Sequence, residues 1–140
     1  MTSRVVCPAC GSEVDRDALA LDADLADLRA RIDIPPTSGR VFLILFATIG
    51  KGQSTSRILS ARQLLDALDI RARQQSTYDG LRWAFKRMKT AFSAAGWLVR
   101  VRSHNSVGWY LEIAPGWHWR DEPTTLQRQI AADEFTFKEG

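Results

Sequence analysis

Long apolar segments are absent from this sequence. The longest apolar run, from Val41 to Ile49, reads VFLILFATI, whereas a helix needs about 20 apolar residues to span a bilayer. We therefore expect a soluble protein with no membrane partner, and we assign this run to a buried core helix. The N-terminus also lacks a charged start followed by a long apolar region. No secretory signal is recognisable, so the sequence predicts a cytoplasmic location.

Cysteine and histidine are scarce, with two of each. Cys7 and Cys10 lie in RVVCPACG, and CxxC spacing without an export signal favours metal or redox chemistry over a structural disulfide. A redox pair is expected near a βαβ pattern, which is absent here, whereas CPxCG is typical of half a zinc knuckle. Since a structural zinc ion needs four ligands, His104, His118 or a second chain's cysteines would have to complete the site. Otherwise this turn binds no metal.

Catalytic residues are not recognisable in the sequence. The two thiols lie in a turn of the metal-binding type, and neither histidine has a nearby Ser or Cys in a context that suits nucleophilic catalysis. We therefore expect that the protein is not an enzyme.

Basic residues are concentrated in the middle of the chain. Residues 1–36 carry four basic residues and seven acids, residues 37–113 carry twelve and four, and residues 114–140 carry three and five. The three net charges are therefore −3, +8 and −2, within a chain of net charge +3. A basic centre between acidic flanks indicates a nucleic-acid surface on one domain.

The most informative stretch begins with a predicted helix from about residue 77 to residue 95. Apolar residues recur at steps of four, three and four on one helical face: Leu81, Phe85, Met88 and Phe92. Basic residues lie on another face: Arg82, Lys86 and Lys89, with Arg87 beside them. Between Asp79 and Glu112 there is no carboxylate. We therefore interpret the basic face as a binding surface for an anion rather than as an ordinary solvated face.

A two-stranded β-hairpin is predicted after Gly96, the expected end of this helix, whose N-cap would be Ser76 or Thr77. Trp97, Val99 and Val101 alternate with Leu98, Arg100 and Arg102 on the two faces of a strand. His104, Asn105 and Ser106 are turn residues, and Gly108 precedes a second strand.

Two more helices are predicted ahead of the basic one. Pro35 and Pro36 mark a boundary, after which Thr37 or Ser38 caps a helix over residues 39–49. Ser60 caps the next helix, over residues 61–68, with Leu64, Leu65 and Leu68 facing inward.

The loop between these two helices reads GKGQSTS, residues 50–56. Its spacing does not match a phosphate-binding loop, and no predicted strand precedes it. We interpret it as a connector whose Lys51, together with Arg57, contacts a phosphate backbone.

The N-terminal segment contains a predicted acidic amphipathic helix. Its apolar stripe consists of Leu21, Leu25, Leu28 and Ile32. The stripe could pair with a second copy, helped by a zinc site that Cys7 and Cys10 share between chains, and we predict a homodimer joined through residues 1–34. In the alternative, the stripe folds back onto its own domain.

The C-terminal segment contains Trp117 and Trp119 in a turn-like sequence. We expect both to pack on the edge of the domain, with a partner-binding anchor as the alternative. Residues 123–134 predict a helix with Leu126 and Ile130 facing inward.

Three segments resemble the effector domains of OmpR/PhoB-type response regulators. PPTSGRVFLILFA looks like the start of their first helix, LSARQLLDAL like their second helix, and FKRMKTAFSAAGWLVRVRSHNSVGWYLEI like their recognition helix and wing. The resemblance covers about residues 35–113, and Gly108 to Leu111 occupy the wing motif. A CPxCG segment ahead of such a domain also resembles small regulators of phages and mobile elements. The resemblance implies an α+β, mainly helical fold: a winged helix-turn-helix of three helices and a C-terminal hairpin, with an N-terminal helical extension.

We therefore predict three parts: residues 1–34 with the CPxCG segment and acidic helix, the winged helix at 35–113, and an acidic, Trp-containing tail at 114–140. The predicted function is a transcription regulator that binds double-stranded DNA. The candidate contacts are Arg82, Lys86, Arg87, Lys89, Arg100, Arg102, His104, Lys51 and Arg57. The alternative is a protein-interaction adaptor that binds, for example, RNA polymerase.

Overall fold

The computed structural model describes residues 4–6 and 13–139 of the chain, so Cys7 and Cys10 lie outside the described residues. The elements are β1 (Arg4–Val6), β2 (Glu13–Asp15), α1 (Arg16–Arg29), α2 (Pro36–Phe46), α3 (Ala61–Ala72), α4 (Tyr78–Ala95), β3 (Val99–His104), β4 (Gly108–Ile113), a 3-10 turn (Trp119–Asp121) and α5 (Thr125–Glu139). The predicted α+β, mainly helical class is confirmed, and this order is compatible with a winged helix. Among the described residues, no helix combines the length and apolarity needed to cross a membrane.

Helix α1 packs on its own domain. Leu21, Leu25, Leu28 and Ile32 are all buried, in one core with residues of α2, α3 and α4. The alternative in which this stripe folds back onto its own chain is therefore the arrangement observed. The stripe is not free to join two copies, because its apolar surface is already removed from water.

Helix α2 begins three residues earlier than predicted, at Pro36. A proline suits the first helical position, because its missing N–H has no intrahelical partner there and its φ is already helical. Ser38 is consequently not a cap: it is buried, and its hydroxyl donates a hydrogen bond of 2.7 Å to the carbonyl oxygen of Ala84. This bond ties α2 to the middle of α4.

Helix α3 has the predicted cap at Ser60 and a reciprocal bond from Gln63, which together form a capping box. It continues beyond the predicted end at residue 68 to Ala72, where Arg73 closes it in the left-handed conformation. Gln74 in the connection to α4 accepts a hydrogen bond from Arg40 at 2.9 Å and donates one to Thr37 at 2.7 Å. These bonds to α2 fix the path of the chain between α3 and α4.

Helix α4 has the predicted ends. The Thr77 hydroxyl accepts from the backbone N–H of Gly80, and Gly96 closes the helix with a φ of 69°. The hairpin that follows has the predicted alternation, because Trp97 and Val99 are buried while Leu98, Arg100 and Arg102 are exposed. His104 is the last residue of β3, paired with Gly108, so the turn itself consists of the three residues between them.

Residues 54–59 run beside β4 as an irregular third strand. The Ser56 N–H donates to the Leu111 carbonyl at 2.9 Å, and Leu59 exchanges two backbone bonds of 3.0 Å with Trp109. The chain after the 50–53 turn is therefore more ordered than a plain connector, because it satisfies the outer edge of β4.

The C-terminal segment returns to the domain through its two tryptophans. Trp119 is buried, and half-buried Trp117 packs its ring 5.6 Å from Trp97 and 6.1 Å from Phe46. The prediction that this pair packs on the domain edge is confirmed.

The predicted inward face of α5 is wrong. Leu126 is 65% exposed and Ile130 is 50% exposed, so these residues do not face inward. The reason is that α5 joins the domain at its first turn, where the Thr125 N–H donates to the Ala30 carbonyl at 2.8 Å and Arg128 donates to the Arg31 carbonyl. Near this junction it is Trp119 that is buried, with the Arg31 guanidinium 5.8 Å from the centre of its ring.

Gly108→Ala is expected to destabilise the protein by about 1–3 kcal/mol. A Cβ at this position would lie 2.1 Å from the Leu59 carbonyl oxygen, which is backbone and part of the ladder to β4. Gly52→Ala is the matched control, since Gly52 has a φ of 78° but no atom within 4 Å of its Cβ position. Chemical denaturation should give a smaller loss for the control, of about 1 kcal/mol from backbone strain alone. Equal losses would contradict the close approach.

Protonation of Asp27 is expected to weaken the tie between α1 and the C-terminal segment. Arg120 donates to Asp27 at 3.2 Å and to Asp24 at 2.5 Å. Partial desolvation raises the pKa of the Asp27 carboxyl, but hydrogen bonds from Arg120 and Arg31 outweigh it and hold the pKa below its ordinary value. Such a carboxyl stabilises the fold above its unfolded-state pKa, and the contribution is lost as the pH falls through the folded-state pKa.

Asp27→Asn should therefore lower the free energy of unfolding at pH 7 by at most about 1 kcal/mol, since the pair is on the surface. In urea titrations, the difference from the wild type should stay constant near neutral pH and shrink below the ordinary carboxyl pKa of 3.8. Asp22→Asn, an exposed carboxylate of the same helix, serves as the control. A difference that persists undiminished in acid would rule out the ion pairs as its cause.

Candidate nucleic-acid interface

The orientation of α4 is set by its apolar stripe. Leu81, Phe85, Met88 and Phe92 are buried, and the Phe92 ring lies 4.9 Å from that of Phe42 in an edge-on contact. Successive helical residues are rotated by about 100°, so the opposite face must point to solvent. The four predicted cations of α4 are all exposed: Arg82, Lys86, Arg87 and Lys89.

The hairpin is held against the same helix by aromatic stacking. The Trp109 ring of β4 lies 4.6 Å from the Phe85 ring at an interplanar angle of 20°. Since both rings belong to the core side of their elements, this contact fixes the position of the hairpin relative to α4. Strand β3 then lies beside the C-terminal half of α4.

A cleft of about 480 Å³ lies between the C-terminal half of α4 and β3. Lys89 and Ser93 line it from the helix, and Arg100 and Arg102 line it from the strand. Three of the predicted cations thus come from two different elements to one cleft. Such a site concentrates positive potential and favours an anionic ligand.

Arg102 also contacts the carboxylate of Glu112 across the hairpin, at 3.4 Å. Both side chains are more than 40% exposed, and an exposed pair of this kind contributes at most about 1 kcal/mol. This weak pair therefore orients the Arg102 side chain, but a phosphate could displace Glu112 and bind the same guanidinium.

Arg87 lies on the other flank of α4. It lines a groove of about 580 Å³ together with Arg31 of the α1–α2 connection and Arg128 of α5. The sequence pattern placed Arg87 beside the other three cations of the helix. The structure also brings it to arginines, and to Asp33, from distant segments, which periodicity within α4 could not reveal.

Lys51 and Arg57 are exposed, and Arg57 lies apart from Arg100. Arg57 follows Ser56 in the segment that pairs with β4, whereas Arg100 belongs to β3 on the other side of β4. Two strand spacings, about 10 Å, therefore separate them across the sheet. His104 is exposed at the end of β3, next to the hairpin turn.

Trp83 belongs to the same surface but was not among the predicted contacts. This side chain is 57% exposed and lies in the second turn of α4, off the apolar stripe. The Lys86 ammonium lies 5.0 Å from the centre of its ring and the Arg87 guanidinium lies 6.0 Å away. Trp83 also lines a shallow cavity of about 390 Å³ with Asp79, Arg82 and Lys86. The sequence feature that could have identified Trp83 is an aromatic residue at a position that the helical spacing assigns to the basic face.

The zinc prediction stays a prediction. Within residues 4–6 and 13–139, no group of three or more His, Cys, Asp or Glu side chains is arranged to hold a metal ion. His118 accepts a hydrogen bond from the Arg120 N–H at its Nδ1, at 3.0 Å. Burial lowers the pKa of His118, which favours the neutral ring that this bond requires.

Comparisons with protein-family models, curated proteins and solved structures found no match for this chain. The winged-helix resemblance therefore rests on the residues that carry it and on the order of the elements.

Iodide is expected to quench tryptophan fluorescence mainly through Trp83. Trp97 and Trp119 are buried and Trp109 and Trp117 are half-buried, while Trp83 is exposed beside two cations that attract an anionic quencher. Titration should therefore give stronger quenching by iodide than by caesium at equal ionic strength, and Trp83→Phe should remove most of the difference. Similar quenching by the two ions would argue against a positive potential at this face.

Proposed function

We propose that this chain is a sequence-preferring, double-stranded DNA-binding regulator of transcription. In this proposal, α4 enters the major groove and the β3–β4 hairpin acts as a wing. The observation that carries the proposal is the cleft between α4 and β3, where Lys89, Arg100 and Arg102 meet beside the open basic face of the helix.

The dimensions and charges of this surface suit a duplex. The major groove, about 12 Å wide, admits one α-helix. Arg82 and Lys86 are on the outward side of the first half of α4, where a recognition helix contacts base edges. A bidentate Arg–guanine contact is the commonest specific readout. Arg100 and Arg102 would follow the neighbouring phosphate backbone.

The remaining cations flank this surface. Arg87 would contact phosphate on the far side of α4, His104 would contact the backbone or minor groove from the end of β3, and Lys51 and Arg57 would lie near the outer edge of the sheet. Contacts of this kind position a protein on DNA without reading sequence. We therefore assign any base discrimination to the outward side of α4.

The adaptor alternative keeps one supporting observation. Its tryptophan anchor is unsupported, because Trp119 is buried and Trp117 is packed against the domain. Leu126 and Ile130 instead form an exposed apolar pair one turn apart on α5. In this alternative they would dock on a protein such as RNA polymerase, an apolar contact with little dependence on salt.

Replacing Arg82, Lys86 and Lys89 with glutamine is expected to weaken duplex binding on the order of 100-fold at about 0.1 M salt. Each lost phosphate contact removes about 0.9 from the slope of log K against log salt. The slope should therefore become shallower by up to about 3 if all three contact phosphate. Gel shifts or anisotropy over a salt series measure both quantities.

The matched control is Leu126→Glu with Gln129→Glu and Ile130→Glu. It changes the net charge by the same three units at exposed positions of α5, away from the α4–β3 cleft. Under the proposal it should leave the salt slope nearly unchanged. A wild-type chain without duplex affinity at low salt would refute DNA binding. Equal effects of the two triple variants would show that duplex affinity depends on overall charge and not on the α4 surface.

A further inference from the structure

The side chain of Trp83 is not part of the core. It is 57% exposed and lies off the buried stripe of α4. With residues rotated by about 100° each, Asp79, Trp83, Lys86 and Thr90 all point away from the core. An isolated exposed apolar residue needs no explanation, but this one stands in the middle of a basic surface.

The chemistry of an indole limits what Trp83 can contact. It offers one N–H donor and no acceptor, so it is a poor phosphate ligand compared with the cations around it. Its large apolar face suits a methyl group or another flat ring instead. The ammonium of Lys86 lies 5.0 Å from the ring centre and holds the indole by a cation–π contact. This contact restricts the rotamers of Trp83, so less side-chain entropy is lost on binding.

We propose that Trp83 is the residue that selects thymine, by packing its ring against thymine methyl groups in the major groove. This inference rests on the proposed function. In the major groove, the C5-methyl of thymine is the apolar group that distinguishes the bases. Trp83 is the sixth residue of α4, in the half of the helix that reaches base edges in helix-turn-helix proteins.

The neighbours of Trp83 fit the same assignment. Arg82 can donate to guanine, and Asp79 can accept from the cytosine amino group. Together with Trp83 and Lys86 they line one shallow cavity open to solvent. A stripe of cations alone would bind duplexes with little regard to sequence. An apolar side chain and a carboxylate among them add discrimination that phosphate contacts cannot provide.

The test uses pairs of short A·T-rich duplexes that differ only in carrying thymidine or deoxyuridine. Burying one methyl is worth about 0.8 kcal/mol, which corresponds to about a 4-fold change in affinity. The full chain should therefore bind the thymidine duplex at least about 4-fold more tightly. Trp83→Ala should lose this preference, and Trp83→Phe should keep most of it, since a phenyl ring also contacts a methyl group.

Tyr78→Ala is the matched aromatic control. Tyr78 is 53% exposed at the start of the same helix, but its ring lies 6.4 Å from that of Trp109, on the hairpin side. This variant should keep the preference for thymidine. The salt slope should be the same for the wild type and Trp83→Ala, because no charge is removed. Circular dichroism checks that each variant is folded.

The outcomes separate the inference from the function on which it rests. Absence of duplex binding by the wild type overturns the proposed function. Duplex binding with equal affinity for thymidine and deoxyuridine overturns the role of Trp83 alone, as does a preference that survives in Trp83→Ala. Tighter binding to single strands than to duplexes, lost in Trp83→Ala, would assign the indole to stacking on unpaired bases instead.

Discussion

The position of Trp109 is the constraint on which the basic surface depends. Its ring stacks on Phe85 of α4 at 4.6 Å, and its backbone exchanges two hydrogen bonds with Leu59. The residue before it, Gly108, has no side chain, so the Leu59 carbonyl can approach closely. One point thus joins α4, the hairpin and the segment ahead of α3. If this contact moved, Lys89 would no longer share a cleft with Arg100 and Arg102.

The basic face of α4 costs stability that the core must offset. Arg82 and Lys86 are four residues apart, and like charges at that spacing destabilise a helix by a few tenths of a kcal/mol per pair. The buried stripe and the Ser38 bond to Ala84 hold the helix in place nevertheless. Asp79, in the first turn, favours the positive end of the helix dipole. The arrangement gives up some helix stability and keeps a face on which cations outnumber carboxylates.

Local features were predictable from sequence, and long-range ones were not. The caps at Ser60, Thr77 and Gly96 and the alternation of β3 depend on nearby residues, so their patterns are visible in the chain itself. Ser38 resembled a cap, but only the fold places it against Ala84, 46 residues away. The stripe of α5 predicted an inward face, but periodicity does not say whether a partner surface exists. For the same reason, periodicity could not predict that Arg87 shares a groove with Arg31 and Arg128, which come from two distant segments.

The charge segregation of the sequence survives in three dimensions because the acidic flanks pair among themselves. Asp24 and Asp27 of α1 are bound by Arg120 of the C-terminal segment, and Arg31 pairs with Asp27 as well. These carboxylates are thereby held on the side of the domain where α1 meets the C-terminal turn. At the α4–β3 cleft, the Glu112 carboxylate contacts one cation, Arg102, at 3.4 Å. The acidic flanks therefore pack on the domain without pairing with most of its basic surface. The net charge of only +3 is thus compatible with one strongly cationic face.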